Sequence, residues 1–201
     1  MLIVKIIGGK LRGRNFYMPA GIRPTQGIAR KALFDILGQD MQGVMFLDLF
    51  AGSGAVGLEA ISRGANKATM VENDPKCAAV ISENISFLLK GAKAGLYNYE
   101  VIQSDAFATI KTFARQGRKF DIIFIDPPYG RELAKKALKT LGGYDILQPN
   151  CTVVIQHEKR EILPQNEGRF LLYRQTIYGT TYLSFYSSNT TIAPLENGVS
   201  H

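Results

Sequence analysis

The ten residues Phe120-Asp121-Ile122-Ile123-Phe124-Ile125-Asp126-Pro127-Pro128-Tyr129 run an apolar stretch straight into a carboxylate, two prolines and a phenol. Proline fixes φ and carries no N–H, so the loop is stiff and its carbonyls are free to accept hydrogen bonds. An exocyclic amino group on a nucleobase offers two N–H bonds. Asp126 and the Pro127 carbonyl can accept both, which turns the nitrogen lone pair toward an electrophilic methyl group. Pro128 stiffens the same loop, and Tyr129 presents a ring on which an extruded base can stack, worth about 1–3 kcal/mol. The competing reading is a rigid turn in which Asp126 caps a helix and Tyr129 only packs.

A second constellation weakens that competitor. Phe46-Leu47-Asp48-Leu49-Phe50-Ala51-Gly52-Ser53-Gly54-Ala55-Val56-Gly57 contains a GxGxxG pattern after an apolar run. Alone the pattern is weak. Between a strand and a helix it reads as a turn whose glycines let backbone approach a nucleotide. Glu72 follows at the end of the next apolar run, where a carboxylate accepts from a ribose diol. Asp48 precedes the glycine turn. A pyrophosphate would meet that carboxylate at close range, which is unfavourable, whereas a methionine ammonium is favoured. N–H groups of the glycine loop can also satisfy Asp48, and the two roles are compatible. Asp105, in Ser104-Asp105-Ala106-Phe107, is placed either to accept from an adenine amino group, with Phe107 against the ring, or to cap the following helix. S-adenosylmethionine therefore fits better than a nicotinamide dinucleotide. The candidate cofactor set is Asp48, Phe50, Ala51, Gly52, Gly54, Glu72, Asn73, Asp105 and Ala106, with Thr25 earlier in the chain. No metal is implied: Cys77 and Cys151 stand outside any metal-ligand spacing and read as reduced, buried thiols. His157 and Glu158 follow an apolar run, and His157 reads as a structural histidine sooner than a site residue.

The chain of 201 residues carries a net charge of +7, and +5 of it falls within residues 1–40. Lys10, Arg12, Arg14, Arg23 and Arg30 in that segment are candidate RNA contacts, since clustered bases neutralise phosphates. A solvated basic surface is the plainer alternative. No apolar run approaches the length of a membrane span, and residues 1–7 turn polar too soon for a secretory leader, so no membrane partner and a cytoplasmic location are expected.

The elements that must position these groups alternate. Residues 1–7 and 11–18 read as a hairpin around Gly8-Gly9, and 25–37 as a helix begun by Thr25. Apolar strands are expected at 44–50, 68–72, 99–102, 120–125 and 152–156. Helices are expected at 54–63, from Pro75 along Ala78, Ile81, Ile85 and Leu88, at 106–115 and at 132–141. Such alternation implies a parallel sheet with helices on both faces. Residues 170–178 and 180–186 read as an antiparallel hairpin, and 188–201 as a disordered tail. The expected organisation is a basic N-terminal extension over 1–40, a methyltransferase domain over 41–187 and that tail.

Asp126-Pro127-Pro128-Tyr129 resembles the amino-methyltransferases of nucleic-acid bases. Residues 3–186 as a whole look like the RsmD family, bacterial 16S ribosomal RNA guanine-N2 methyltransferases. The carrying motifs are Ile7-Gly8-Gly9-Lys10-Leu11-Arg12-Gly13-Arg14, Arg23-Pro24-Thr25 with Arg30 and Ala32-Leu33-Phe34-Asp35-Ile36-Leu37, the Asp48 to Gly54 loop, the Asp-Pro-Pro-Tyr loop and Tyr178-Gly179. The first two are the most specific. One departure is local: Gln26-Gly27-Ile28-Ala29 and Lys31 stand where the family usually has acids and a base around the arginine. The resemblance implies a Rossmann-like α/β fold with a seven-stranded methyltransferase sheet, S-adenosylmethionine as cofactor, and a monomer acting on a guanine of 16S rRNA within the 30S subunit or its assembly intermediate. The alternatives are a DNA adenine or cytosine amino-methyltransferase, for which no target-recognition domain fits, and a catalytically silent RNA-binding module.

Overall fold

A computed structural model describes residues 2–19, 27–93, 95–129 and 132–188. The chain opens with strands β1 (Leu2–Lys5) and β2 (Asn15–Met18), helix α1 (Gly27–Leu37) and β3 (Met45–Asp48). Then come α2 (Ala55–Ser62), β4 (Lys67–Glu72), α3 (Pro75–Leu88), β5 (Tyr99–Gln103), α4 (Ala106–Arg115), β6 (Phe120–Ile125) and α5 (Leu133–Gly142). It closes with β7 (Leu147–Glu158), β8 (Asn166–Glu167), β9 (Phe170–Tyr178) and β10 (Thr181–Ser187). Each long element expected from the pattern is present.

The main sheet runs β5-β4-β3-β6-β7-β10-β9-β8. β5 to β7 are parallel, and β10 inserts antiparallel between β7 and β9. Seven of these are the strands expected; the eighth, β8, is a two-residue edge piece against β9 too short to leave a periodic signal. Strand β7 also starts earlier than residue 152, because its pairing with β6 tolerates a register shift between Phe120 and Ile122. After β3 the chain moves outward to β4 and β5, then returns to lay β6 on the other side of β3. The order therefore reverses at β3–β6, the place where open α/β sheets bind ligands beyond the carboxyl ends of their strands.

Parallel strands require crossovers, and the helices cover both faces. Phe46, Met70 and Phe124 face a core built with α1, α2, α3 and the N-terminal hairpin. Leu47, Val71 and Ile123 face the core under α4 and α5. Successive strand residues thus alternate between two apolar layers, which is why the strands read as unbroken apolar runs. Helix α3 starts where sequence dictates: Asp74 accepts from the N–H of Lys76 and Cys77, and Pro75 has no N–H that would need an acceptor.

The N-terminal hairpin is pinned to α2. Glu59, fully buried, accepts from the backbone N–H of Ile7 (3.0 Å) and Gly8 (2.6 Å) and pairs with Arg63 (2.9 Å) and Arg30 (3.5 Å). The N–H of Leu11 reaches Ser62 Oγ at 2.9 Å. A side chain at Gly9, whose φ is +72°, would run into the Ser62 carbonyl. The Gly8-Gly9 pair is thus a close approach between loop and helix. Asn84 on α3 holds β2 by accepting from the Tyr17 N–H and donating to its carbonyl. The thiols of Cys77 and Cys151 are free and buried. Among the described residues no helix is long and apolar enough to cross a membrane.

Candidate functional site

The loops after β3, β4, β5 and β6 surround a cavity of about 780 Å³ at the switch point. It gathers the two constellations that the sequence separates by tens of residues. Asp48, Phe50, Ala51, Gly52, Glu72, Asn73, Asp105 and Ala106 line it together with Asp126, Pro127, Pro128 and Tyr129. Gly54, expected among the cofactor residues, does not line it. It caps α2 at φ 76°, and a Cβ there would meet Ile81 at 3.1 Å. Gly57 likewise serves packing, since a side chain would run into Met70 and push α2 off β4. Gly52, at φ 55°, makes the turn itself. Thr25 and Arg23 lie outside the described residues.

Glu72 is held rigidly: one carboxylate oxygen accepts from Gly52 N–H at 2.7 Å and the other from Asp74 N–H at 2.8 Å. Each carboxylate oxygen has a second lone pair, so the group can still accept from a diol. Asp105 caps α4 through Ala108 N–H at 2.9 Å and also lines the cavity, so the cap does not remove it from the cavity wall. Phe50 and Phe107 meet edge to face, centroids 6.1 Å apart, and form an apolar wall beside it.

Asp48 is 1% exposed, and its Oδ1 is buried without a hydrogen-bond partner among the described residues. Burial pushes its carboxyl from the ordinary 3.8 up to about 8; the charge of Asp126 and, less, of Glu72 adds to this, against the backbone N–H groups of Gly57 and Phe50. A cavity lined by Asp48, Glu72, Asp74, Asp105 and Asp126 suits a cationic ligand and opposes a phosphate. The ammonium and sulfonium of S-adenosylmethionine fit this set of acidic acceptors; a dinucleotide pyrophosphate does not.

Asp126 directly follows β6 and is gripped from β7: Gln156 Nε2 donates to its Oδ2 at 2.9 Å. Sequence reasoning assigned no role to Gln156. Its signal was an amide closing the apolar run Val153-Val154-Ile155, which gains meaning only once β7 is known to lie beside β6. His157, by contrast, points away from the cavity. It is 1% exposed, bonded to Ser184 Oγ (2.8 Å) and the Glu158 carbonyl (3.0 Å), and stacked on Tyr182. Burial lowers its pKa, and the structural reading holds.

The basic candidates divide. Lys10 and Arg12 are exposed. Arg14 is also exposed but donates to the Leu88 carbonyl at the end of α3. Arg30 corrects the expectation of an RNA contact: it is 1% exposed, paired with Glu59, bonded to the Lys5 carbonyl at 2.8 Å and set over the Phe16 ring. It lies on the inward face of α1 with Leu33 and Phe34, where a guanidinium locks hairpin to helix.

The strand order, the antiparallel β10 and an acidic cavity at the switch point define a Rossmann-like methyltransferase fold. Residues 4–187 match the family described as conserved hypothetical protein 95, and the chain belongs to this family, the RsmD family. Ribosomal RNA small subunit methyltransferase D of Escherichia coli (strain K12) is 34% identical over 185 residues, which are 91% of this chain and 89% of that protein. The protein of the same name from Buchnera aphidicola subsp. Acyrthosiphon pisum is 34% identical over 191 residues, 93% of this chain and 94% of its own. Among solved structures, the Escherichia coli protein yhhF is similar with a TM-score of 0.77 at 32% identity, covering 94% of this chain and 99% of that one. A hypothetical protein from Thermus thermophilus gives 0.78 at 34%, covering 90% and 98%.

Proposed function

We propose that this protein methylates the exocyclic N2 amine of a guanine in 16S rRNA, within the 30S subunit or its assembly intermediate, and that its cofactor is S-adenosylmethionine. The observation that carries this is one cavity lined both by Asp48, which keeps an oxygen without a hydrogen-bond partner among the described residues, and by the Asp126-Pro127-Pro128-Tyr129 loop. The names of the relatives support a small-subunit ribosomal substrate. The protein acts as a cytoplasmic monomer, and residues 1–40 form its substrate-facing extension, with Lys10 and Arg12 toward phosphates.

The cofactor supplies a methyl group already activated on a sulfonium, so positioning dominates the barrier. Asp48 takes the ammonium, Glu72 the ribose diol, and Asp105 with Phe50 and Phe107 the adenine. Tyr129 stacks the extruded base. Asp126 and the Pro127 carbonyl accept the two amine N–H bonds and aim the lone pair. When bound, the cofactor would give up its methyl group and keep the electron pair on sulfur, and Asp126 would take the surplus proton from the methylated nitrogen and hand it to solvent. The test is methyl transfer from labelled cofactor to unmodified small subunits, free 16S rRNA and DNA, with nucleoside analysis. N2-methylguanosine from the particles is the expected product; label only in DNA, or in methyladenine, overturns the reading.

A further inference from the structure

Gln156 stands at the carboxyl end of β7, 5% exposed, on the wall of the cavity. The β6–β7 register pairs Ile125 with Ile155, which brings Asp126 and Gln156 side by side. Its Nε2 donates to Asp126 Oδ2 at 2.9 Å. That bond fixes the amide's orientation, because an ionised carboxylate only accepts and a flipped amide would set two oxygens face to face. Oε1 is then committed to the other side. It is buried and has no hydrogen-bond partner among the described residues. A buried acceptor left unmatched carries a desolvation cost that a ligand donor removes.

We propose that Gln156 selects the base: its Oε1 accepts the ring N1–H of the target guanine while Asp126 accepts from the neighbouring amine. This rests on the guanine reading above and supplies its specificity. Guanine presents an amine beside a ring N–H, two adjacent donors. Adenine and cytosine present an amine beside a bare ring nitrogen, a donor beside an acceptor. Two adjacent acceptors, Asp126 and Gln156 Oε1, match guanine alone. Asp126 therefore has a second effect, since by holding the amide nitrogen it prevents the flip that would admit the other bases.

The test uses small-subunit particles carrying guanine or 2-aminopurine at the nucleotide the wild-type protein methylates. 2-Aminopurine keeps the C2 amine but has an acceptor at N1. Under single turnover the wild type is expected to prefer guanine by roughly 10- to 100-fold, the consequence of leaving one buried polar group unpaired. Gln156→Met is expected to slow guanine methylation until the two rates converge, with cofactor affinity kept. Gln156→Glu retains an acceptor oxygen and is expected to keep the preference. If Gln156→Met does not fold, Gln156→Asn withdraws the oxygen without adding apolar surface and should show the same convergence. A folded Gln156→Met or Gln156→Asn that slows both substrates equally reduces Gln156 to a buttress of Asp126 and overturns the proposal. So does a wild type that accepts both substrates alike. Failure of the guanine reading looks different: the wild-type product is then methylated adenine or cytosine, with no methylguanine.

Discussion

Asp48 and Glu59 are both carboxylates buried to within 1% of full enclosure, and their surroundings are opposite. Glu59 is matched on every side by the Ile7 and Gly8 N–H groups and by Arg30 and Arg63. Asp48 faces Asp126 and Glu72, keeps one oxygen without a partner and has its pKa raised to about 8. A buried charge that the protein satisfies itself is architecture, and here it fastens the hairpin and α1 to α2. A buried carboxyl left incomplete beside like charges is costly to ionise. Its cost makes sense where a ligand completes it.

The sharpest break in this comparison should come from the catalytic loop. Asp126→Ala is expected to lower the single-turnover methylation rate by roughly 10²–10⁴-fold in a protein that still folds and still binds the cofactor. A folded variant with a near wild-type rate would show the loop to be structural. Next in size is Glu59→Ala, which strands two buried guanidinium groups. Urea unfolding should register a loss of about 3–5 kcal/mol, with the rate per folded molecule preserved. A loss below about 1 kcal/mol would erase the distinction between the two carboxylates.

Asp48→Asn should act in the other direction on stability and against binding. The folded chain keeps a proton on Asp48 that the unfolded chain has released, because the folded pKa of about 8 lies above the ordinary 3.8. Between those values the folded state binds more protons, so this group lowers stability as pH rises from about 4 to about 8 and adds no slope above that. Asp48→Asn is expected to remove this slope and to raise the melting temperature of the ligand-free protein near pH 8. Cofactor binding to the ionised carboxylate releases a proton below pH 8, so wild-type affinity rises with pH toward that value. The asparagine variant loses both the rise and about 1.5–3 kcal/mol of affinity. Titration calorimetry in buffers of different ionisation heat decides it: equal proton release by wild type and variant would remove Asp48 from the ammonium site.

The smallest effect concerns the basic segment, where exposure and charge no longer coincide. Neutralising Lys10 and Arg12 should raise the substrate KM and flatten its salt dependence by roughly one unit of slope per residue. Arg30→Met should leave that slope alone and affect only folding. A shared slope change would place Arg30 at the RNA after all.

Local chemistry made much of this legible. The strand-to-loop transitions at Asp48 and Asp126 announce themselves because proline, glycine and an abrupt end of apolar residues act within a few positions, and the helices follow from their own periodicity and caps. Arg30 misled because a count of bases carries no direction; only the packing of α1 on the hairpin decides which face is inward. Gly54 carries no unambiguous signal, because a positive φ and a close approach serve helix packing as readily as a ligand. The residues alone thus determined the alternating fold, the glycine turn and the rigid carboxylate loop. The tertiary structure alone decided that β3 and β6 meet at the switch point, that Gln156 grips Asp126 across thirty residues of chain, and that Glu59 is completed while Asp48 is not. Those outcomes depend on strand order and register, which place distant side chains within 3 Å of each other or leave them alone, and no short-range pattern encodes that distance.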